Sequence, residues 1–430
     1  MQKKYKFFKF TLRGHSYTMF YEGLHTGYQI CNYLNCKKII CLKLINYHKA
    51  HKIKYIFGKR LFLNILKNLS FSEKILSIFY TLILNFNLLL KKFKIIGLFN
   101  LILGKKFVSS FFPLHFGYDE DEEYFKTDKE TWEKINDTKG FFNVKLEDQK
   151  FNKKYLDFFS DKFICLHIKD ANYNQFTKIG NYSTRELNSD IENHKKAIDY
   201  LLDNNYKMIR IGDRFSKKID FHDKRFLDLT SNHNLTDFNQ AYVFQKSEFF
   251  FGNITPGAFM CRLFDKNFAI SNCPHEYLLY NGFSNSDKNI ASYKGMYSVE
   301  KKRLLTIPEI LMDEELLFTF DLNKKKYIAI ENSPDEILEL AKIFINKNIL
   351  GKFEINNLFE EFDHLRKKTL DKLMVNKALI NNSSTNHRLY DCKQNYFSKV
   401  HIPNSYLEQN LVFSEALKEK SKKITKELNL

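Results

Sequence analysis

Between residues 163 and 272 four apolar runs recur, each the length of a strand and too short for a helix: FICLHI (163–168), KMIRIG (207–212), EFFFGN (248–253) and NFAISN (267–272). Patterns with helical spacing fill the intervals. Strands covered on both faces read as continuous apolar runs of this kind, and a parallel sheet is the structure that needs them. The alternation therefore predicts a doubly wound α/β domain. Three of the runs end in chemically capable clusters. These are His167-Ile168-Lys169-Asp170, Arg210-Ile211-Gly212-Asp213 and Asn253-Ile254-Thr255-Pro256-Gly257. Ligands of open parallel sheets bind beyond the carboxyl ends of the strands, so these clusters predict a ligand site.

The helices between the runs have readable starts. Ser189-Asp190-Ile191-Glu192 has capping-box spacing, and Ile191, Ile198, Leu201 and Leu202 follow on one face. A second helix starts at Thr236 or Asp237 and runs to about Lys246. Pro256 opens a third, GAFMCRLF, at a first-turn position. The cleanest start is Ser333-Pro334-Asp335-Glu336, ahead of ILELAKIF. Around this centre the chain divides into a basic apolar region (1–112), a charged connection (113–160), the α/β domain (161–350) and a polar helical region (351–430). The tail SEALKEKSKKITKEL is expected to be a solvated helix.

Charge is distributed unevenly. The net charge is +18, and residues 1–112 hold 20 Lys and Arg against Glu22 and Glu73, a balance of 20 − 2 = +18. The remaining 48 basic and 48 acidic residues cancel. Lysines interleaved with large apolar side chains favour an anionic membrane surface as the partner of this region. No nucleic-acid-binding motif accompanies them, so a nucleic acid is not expected. The run ILSIFYTLILNFNLLL (75–90) includes Asn85 and Asn87 and falls short of the ~20 residues needed to span a bilayer. Flanked by Lys74 and Lys91-Lys92, it is either an interfacial helix or a buried one.

The seven cysteines do not suggest a disulfide framework. Cys31, Cys36 and Cys41 are spaced too widely for a zinc site beside His25, His48 and His51. No metal is expected. With no signal peptide at the start, the expected location is the cytoplasm, peripheral to the inner membrane face.

Each cluster has more than one reading. The 253–257 loop offers helix-start amides to an anion, with the Thr255 hydroxyl, Pro256 at the first turn and Gly257 allowing close approach. Equally, it is an ordinary loop capped by Thr255. Arg210 either pairs with a phosphate or buries its stem beside a carboxylate. Gly212 marks a turn needing unusual backbone angles, with Asp213 beside it. His167 is a general base, a donor to a leaving phosphate, or a satisfied core histidine. Asp170 and Asp190 are the candidate catalytic carboxylates, although Asp190 also suits the first turn of a helix. No GxxxxGK[ST] and no GxGxxG occurs, which disfavours P-loop and dinucleotide enzymes.

The order CLHIKDANY, LNSDIENHKKAIDYLLDNNYKMIRIGD, DFNQAYVFQKSEFFFGNITPGAFMCRLFDKNFAISNCP, IENSPDEILELAKIF and VHIPNSYLEQN resembles a family of bacterial glycosyltransferases of surface polysaccharide synthesis, over about residues 155–415. The resemblance implies a GT-B-like fold, two Rossmann-like domains facing across a cleft, with the C-terminal one holding a nucleotide diphosphate sugar. It implies a glycan or lipid-linked glycan acceptor and a metal-independent reaction. The first strand end is similar to a His-x-Arg element of fucosyltransferase-type enzymes, in which the Arg contacts the diphosphate; here Lys169 takes that place. The family's Arg-Asn-Ser-Asp is Leu187-Asn188-Ser189-Asp190 here, with Arg185 the nearest arginine. The two departures leave a second expectation open, a non-catalytic nucleotide- or carbohydrate-binding protein on a transferase scaffold.

Overall fold

In a computed structural model of the chain the described residues are 8–12, 39–43, 66, 69–92, 146–170, 172, 187–212, 215–231, 235–275, 288–318, 326–349, 357–375 and 402–428. The chain forms two compact units. One comprises 1–149 with 236–245 and 263–265; the other comprises 150–235, 246–262 and 266–430.

In the first unit β1 (Phe8–Leu12) and β2 (Ile39–Lys43) pair in parallel, and helix α1 (Phe71–Lys92) packs against β2. The expected second Rossmann-like domain falls largely outside the described residues. So do Asp213 and Arg185.

The second unit is built on six parallel strands. They are β3 (Phe163–His167), β4 (Lys207–Ile211), β5 (Phe226–Asp228), β6 (Phe249–Gly252), β7 (Asn267–Cys273) and β8 (Ile290–Tyr293). Their order is β5-β4-β3-β6-β7-β8, and every neighbouring pair is parallel. Counted within the sheet this is 3-2-1-4-5-6, the order of a Rossmann-like doubly wound domain. The four runs read from the sequence are the four central strands. The two edge strands went unread, because FLD and IASY are too short and mixed to show a period.

The helices follow from local chemistry. Ahead of α2 (Lys195–Asp203) the chain makes a 3-10 turn, Ile191–His194, capped by Asp190, whose carboxylate accepts from the Glu192 amide at 3.1 Å. The capping box expected at Ser189 does not form; the Ser189 hydroxyl instead accepts from Asn272 at 2.6 Å. Helix α3 (Asp237–Lys246) belongs to the first unit, and α4 (Pro256–Phe264) follows β6. Helix α5 (Ile307–Leu311) starts with a full capping box between Thr306 and Glu309. At the start of α6 (Pro334–Ile349) Ser333 and Glu336 exchange the two hydrogen bonds that their spacing predicted.

Helices α2 and α6 pack together on one face of the sheet. Ile198, Leu201, Leu202, Leu340 and Phe344 meet Ile164, Leu166, Met208, Phe249 and Phe251 there, in a continuous buried cluster. The strand residues alternate by two and the helix residues by three and four, so two periods share one interface. Beyond β8 an antiparallel sheet follows, of β9 (Gly295–Ser298), β10 (Arg303–Leu304) and β11 (Tyr327–Ile330) in the order β10-β9-β11. The C-terminal helix α7 (Glu415–Glu427) docks on β10. Its Leu417 and Ile424 pack with Tyr297 and Leu304, and the Ser421 hydroxyl accepts from the Leu304 amide at 3.0 Å. The tail is therefore an anchored helix, where a wholly solvated one was expected: a narrow stripe of three buried residues suffices among many lysines.

Candidate functional site at the strand switch point

Strand order reverses between β3 and β6, which pair with each other while their onward connections run to opposite sides. This is where doubly wound sheets open a crevice at their carboxyl end. Two of the predicted clusters meet there. The approach is close enough to require glycine: a Cβ on Gly252 would lie 2.2 Å from the His167 carbonyl oxygen.

Asn253, given no role from the sequence, ties the end of β6 to the segments beyond β3. Its side-chain oxygen accepts from the Lys169 amide at 2.9 Å, and its nitrogen donates to the carbonyls of Lys169 (3.1 Å) and Leu187 (2.9 Å). The Ser189 amide donates to Lys169 O at 2.8 Å. Buried Lys294 donates to Asn188 O at 2.6 Å. Segment 187–190 is thereby strapped across the ends of the strands by backbone contacts. Its Asp190 amide donates to Glu331 at 2.9 Å. Asn272 and Asn332, both buried, exchange two amide-to-side-chain bonds behind it.

Lys217 is the centre of a second convergence. Its amide donates to Asp170 at 2.5 Å, its ammonium to the two oxygens of Asp190 at 2.8 and 3.1 Å, and its carbonyl accepts from Arg210 at 2.7 Å. Three residues singled out from the sequence are thus brought together by one that was not. Nothing local marks Lys217 in Ser-Lys-Lys-Ile-Asp. Burial opposes the charge on Asp190, but hydrogen bonds from Lys217 and Glu192 outweigh it and hold the carboxyl below its ordinary range. Asp170 is buried, whereas the Asp190 side chain is 44% exposed. Of the two, only Asp190 is open to solvent.

Arg210 is fully buried. One guanidinium nitrogen pairs with Asp228 at 2.8 Å and another holds the Lys217 carbonyl, so it serves the fold where a diphosphate ligand was one of two expected roles. Its burial near the end of β4 is permitted because Asp228 ends the neighbouring strand. Gly212 has φ +156°, with Ser216 Oγ 2.8 Å from where a Cβ would sit.

The start of α4 is self-contained. Pro256 has no amide proton, the Gly257 amide donates to Thr255 Oγ1 at 3.1 Å, and the Ala258 amide donates to the Thr255 carbonyl. Of the two readings of this loop, the one capped by buried Thr255 is the one that forms, and it leaves the helix dipole as the attraction for an anion.

At and just beyond the end of β3, burial disfavours the charged forms of two side chains. The His167 ring has Nδ1 buried without a hydrogen-bond partner, and burial, helped by Arg210 and Lys169, lowers its pKa to about 3. It is a neutral imidazole and a weak base. Burial also lowers the Lys169 ammonium, to about 8. A cation held where its charge is disfavoured marks a functional candidate. Among the described residues no group of three or more His, Cys, Asp or Glu could hold a metal ion. Set against models of protein families, curated proteins and solved structures, the chain matches none of them.

Proposed function

We propose that the chain is a glycosyltransferase of GT-B type that binds a nucleoside-diphosphate sugar in the β3–β6 crevice and transfers the sugar to a surface glycan. The observation that carries the reading is the strand order: a switch point flanked by Lys169 on one strand end and by the start of α4 on the other. Lys169 would face the diphosphate and oppose the negative charge that grows on it as the bond to the sugar breaks. In an inverting transfer Asp190 takes the proton of the acceptor hydroxyl, whose oxygen attacks the anomeric carbon while the nucleoside diphosphate departs with the bonding electrons. Lys217 must first release Asp190.

A bound diphosphate raises the Lys169 pKa back toward the ordinary range, so binding takes up a proton and weakens as pH rises through about 8. Calorimetry with a panel of nucleoside diphosphates is expected to show this dependence and to lose about tenfold in affinity for Lys169→Ala. If no nucleoside diphosphate binds, or if Lys169→Ala binds as the wild type does, the donor-site reading fails.

One observation favours a second reading, a non-catalytic nucleotide- or carbohydrate-binding protein: Asp170 and Asp190 are both engaged by Lys217, and the α4 amides by Thr255. Mass spectrometry of donor sugars incubated with the protein separates the two. Consumption of a donor supports the enzyme; binding without consumption supports the scaffold.

A further inference from the structure

Helix α1 has a firm start. The Ser70 amide donates to Glu73 at 2.9 Å and the Glu73 amide to Ser70 Oγ at 3.4 Å, a capping box that fixes the first turn. Yet five of its described apolar side chains face outward. Phe71 is 78% exposed, Ile75 50%, Ile78 49%, Phe79 53% and Leu82 66%, while Ser77 is fully buried. At about 100° per residue the five exposed residues fall within an arc of roughly 100°, and Ser77 lies on the far side. A helix on the surface of a globular protein in water buries such an arc. The other large apolar residues exposed among the described ones, Leu156, Met312 and Val412, stand singly in the sequence.

We propose that this arc is a docking surface for an anionic lipid bilayer, with the five side chains entering the headgroup region and the helix lying in the plane of the interface. Charge complementarity chooses the occupant. The arc belongs to the part of the chain, residues 1–112, that carries the whole +18 excess. A second copy would bring two such regions together against their mutual repulsion. A nucleic acid would satisfy the charge and leave the apolar arc in water. Only an anionic lipid surface meets both demands. The proposal goes beyond the donor site and does not depend on it.

The test is co-sedimentation of the full chain with phosphatidylcholine vesicles, with and without phosphatidylserine. Binding is expected to be at least about tenfold stronger with phosphatidylserine, and to fall by about tenfold or more in Ile78→Glu/Leu82→Glu. These side chains are already exposed, so the double variant is expected to melt as the wild type does. Ile78→Leu should retain binding. Hydrogen exchange over 71–82 in the wild type supplies a measurement free of any variant, with slowing expected when anionic vesicles are added. No binding by the wild type, full binding by the double variant, or unchanged exchange would each overturn the proposal. Two further results would also overturn it: dimerisation without lipid that the double variant abolishes, and RNA retention lost with the same substitutions.

Discussion

At the end of β4, Arg210 is fully buried and its guanidinium is occupied by Asp228 and by the carbonyl of Lys217. One strand over, just beyond β3, the Lys169 ammonium is held in surroundings that lower its pKa to about 8. Both cations stand at the carboxyl edge of one parallel sheet, where ligand-binding residues are expected. Their difference lies in how the surroundings treat the charge. The planar fork of arginine bridges a carboxylate and a backbone carbonyl at once, which suits a structural tie. The lysine keeps a compact charge that its surroundings disfavour, which suits a ligand. Position at the strand ends makes a residue eligible for the site, and its neighbours decide whether it is available.

The largest effect that would break this contrast lies at Arg210. Arg210→Met leaves Asp228 with only its hydrogen bonds from Thr230 and takes the donor from the Lys217 carbonyl, and urea unfolding is expected to show a loss of about 4 kcal/mol; a loss below about 1 kcal/mol would return Arg210 to the ligand candidates. Next is Gly252→Ala at the crevice. Its new methyl meets the His167 carbonyl, a backbone atom that cannot swing aside, and about 3 kcal/mol of stability is expected to be lost.

Acid titration probes the strap, because the buried His194 ring hydrogen-bonds the Asp190 carbonyl at 3.0 Å and Ser271 Oγ at 2.8 Å. Burial lowers the pKa of His194 from the ordinary 6.5 to about 4. Below pH 6.5 the unfolded chain therefore binds a proton that the folded one refuses. The stability this neutral ring supports is complete above pH 6.5 and is lost as pH falls toward 4. Between pH 6.5 and 5 the loss from this residue is about 2 kcal/mol. Urea unfolding at several pH values should show it, and the slope should flatten in His194→Gln.

The smallest change in stability, and the one with opposite sign, belongs to Lys169. Its folded pKa is depressed, so at neutral pH the charged form is held at a cost that Lys169→Met removes. A gain of about 1 kcal/mol is expected. If that variant were destabilised instead, Lys169 would be a structural tie like Arg210.

Much of the sheet was legible because strands covered on both faces carry unbroken apolar runs, and EFFFGN or FICLHI can be little else. Ser333 and Glu336 were legible because a capping box is entirely local. The site was legible only as a neighbourhood. Asn253 stood in the quoted cluster without a role, because its partners lie 84 and 66 residues away. Lys217 had no signal at all, since its tie to Asp190 spans 27 residues and a loop of mixed charge. At α4 the sequence left free amides and a Thr255 cap equally open, and the choice rested on where one hydroxyl and one carbonyl of Thr255 point.

The sequence by itself determined that the middle of this chain is a doubly wound α/β domain, that its polar clusters sit at strand ends, and that all the charge excess belongs to the first 112 residues. Those are properties of composition and period, written into consecutive residues. Tertiary structure alone decided the order 3-2-1-4-5-6, and with it which two clusters share a crevice. It also decided that Arg210 is buried against Asp228, and that five described apolar residues of α1 face outward. Each of these depends on pairing between distant segments, and the same side chain is a ligand, a tie or a docking surface according to what the fold sets against it.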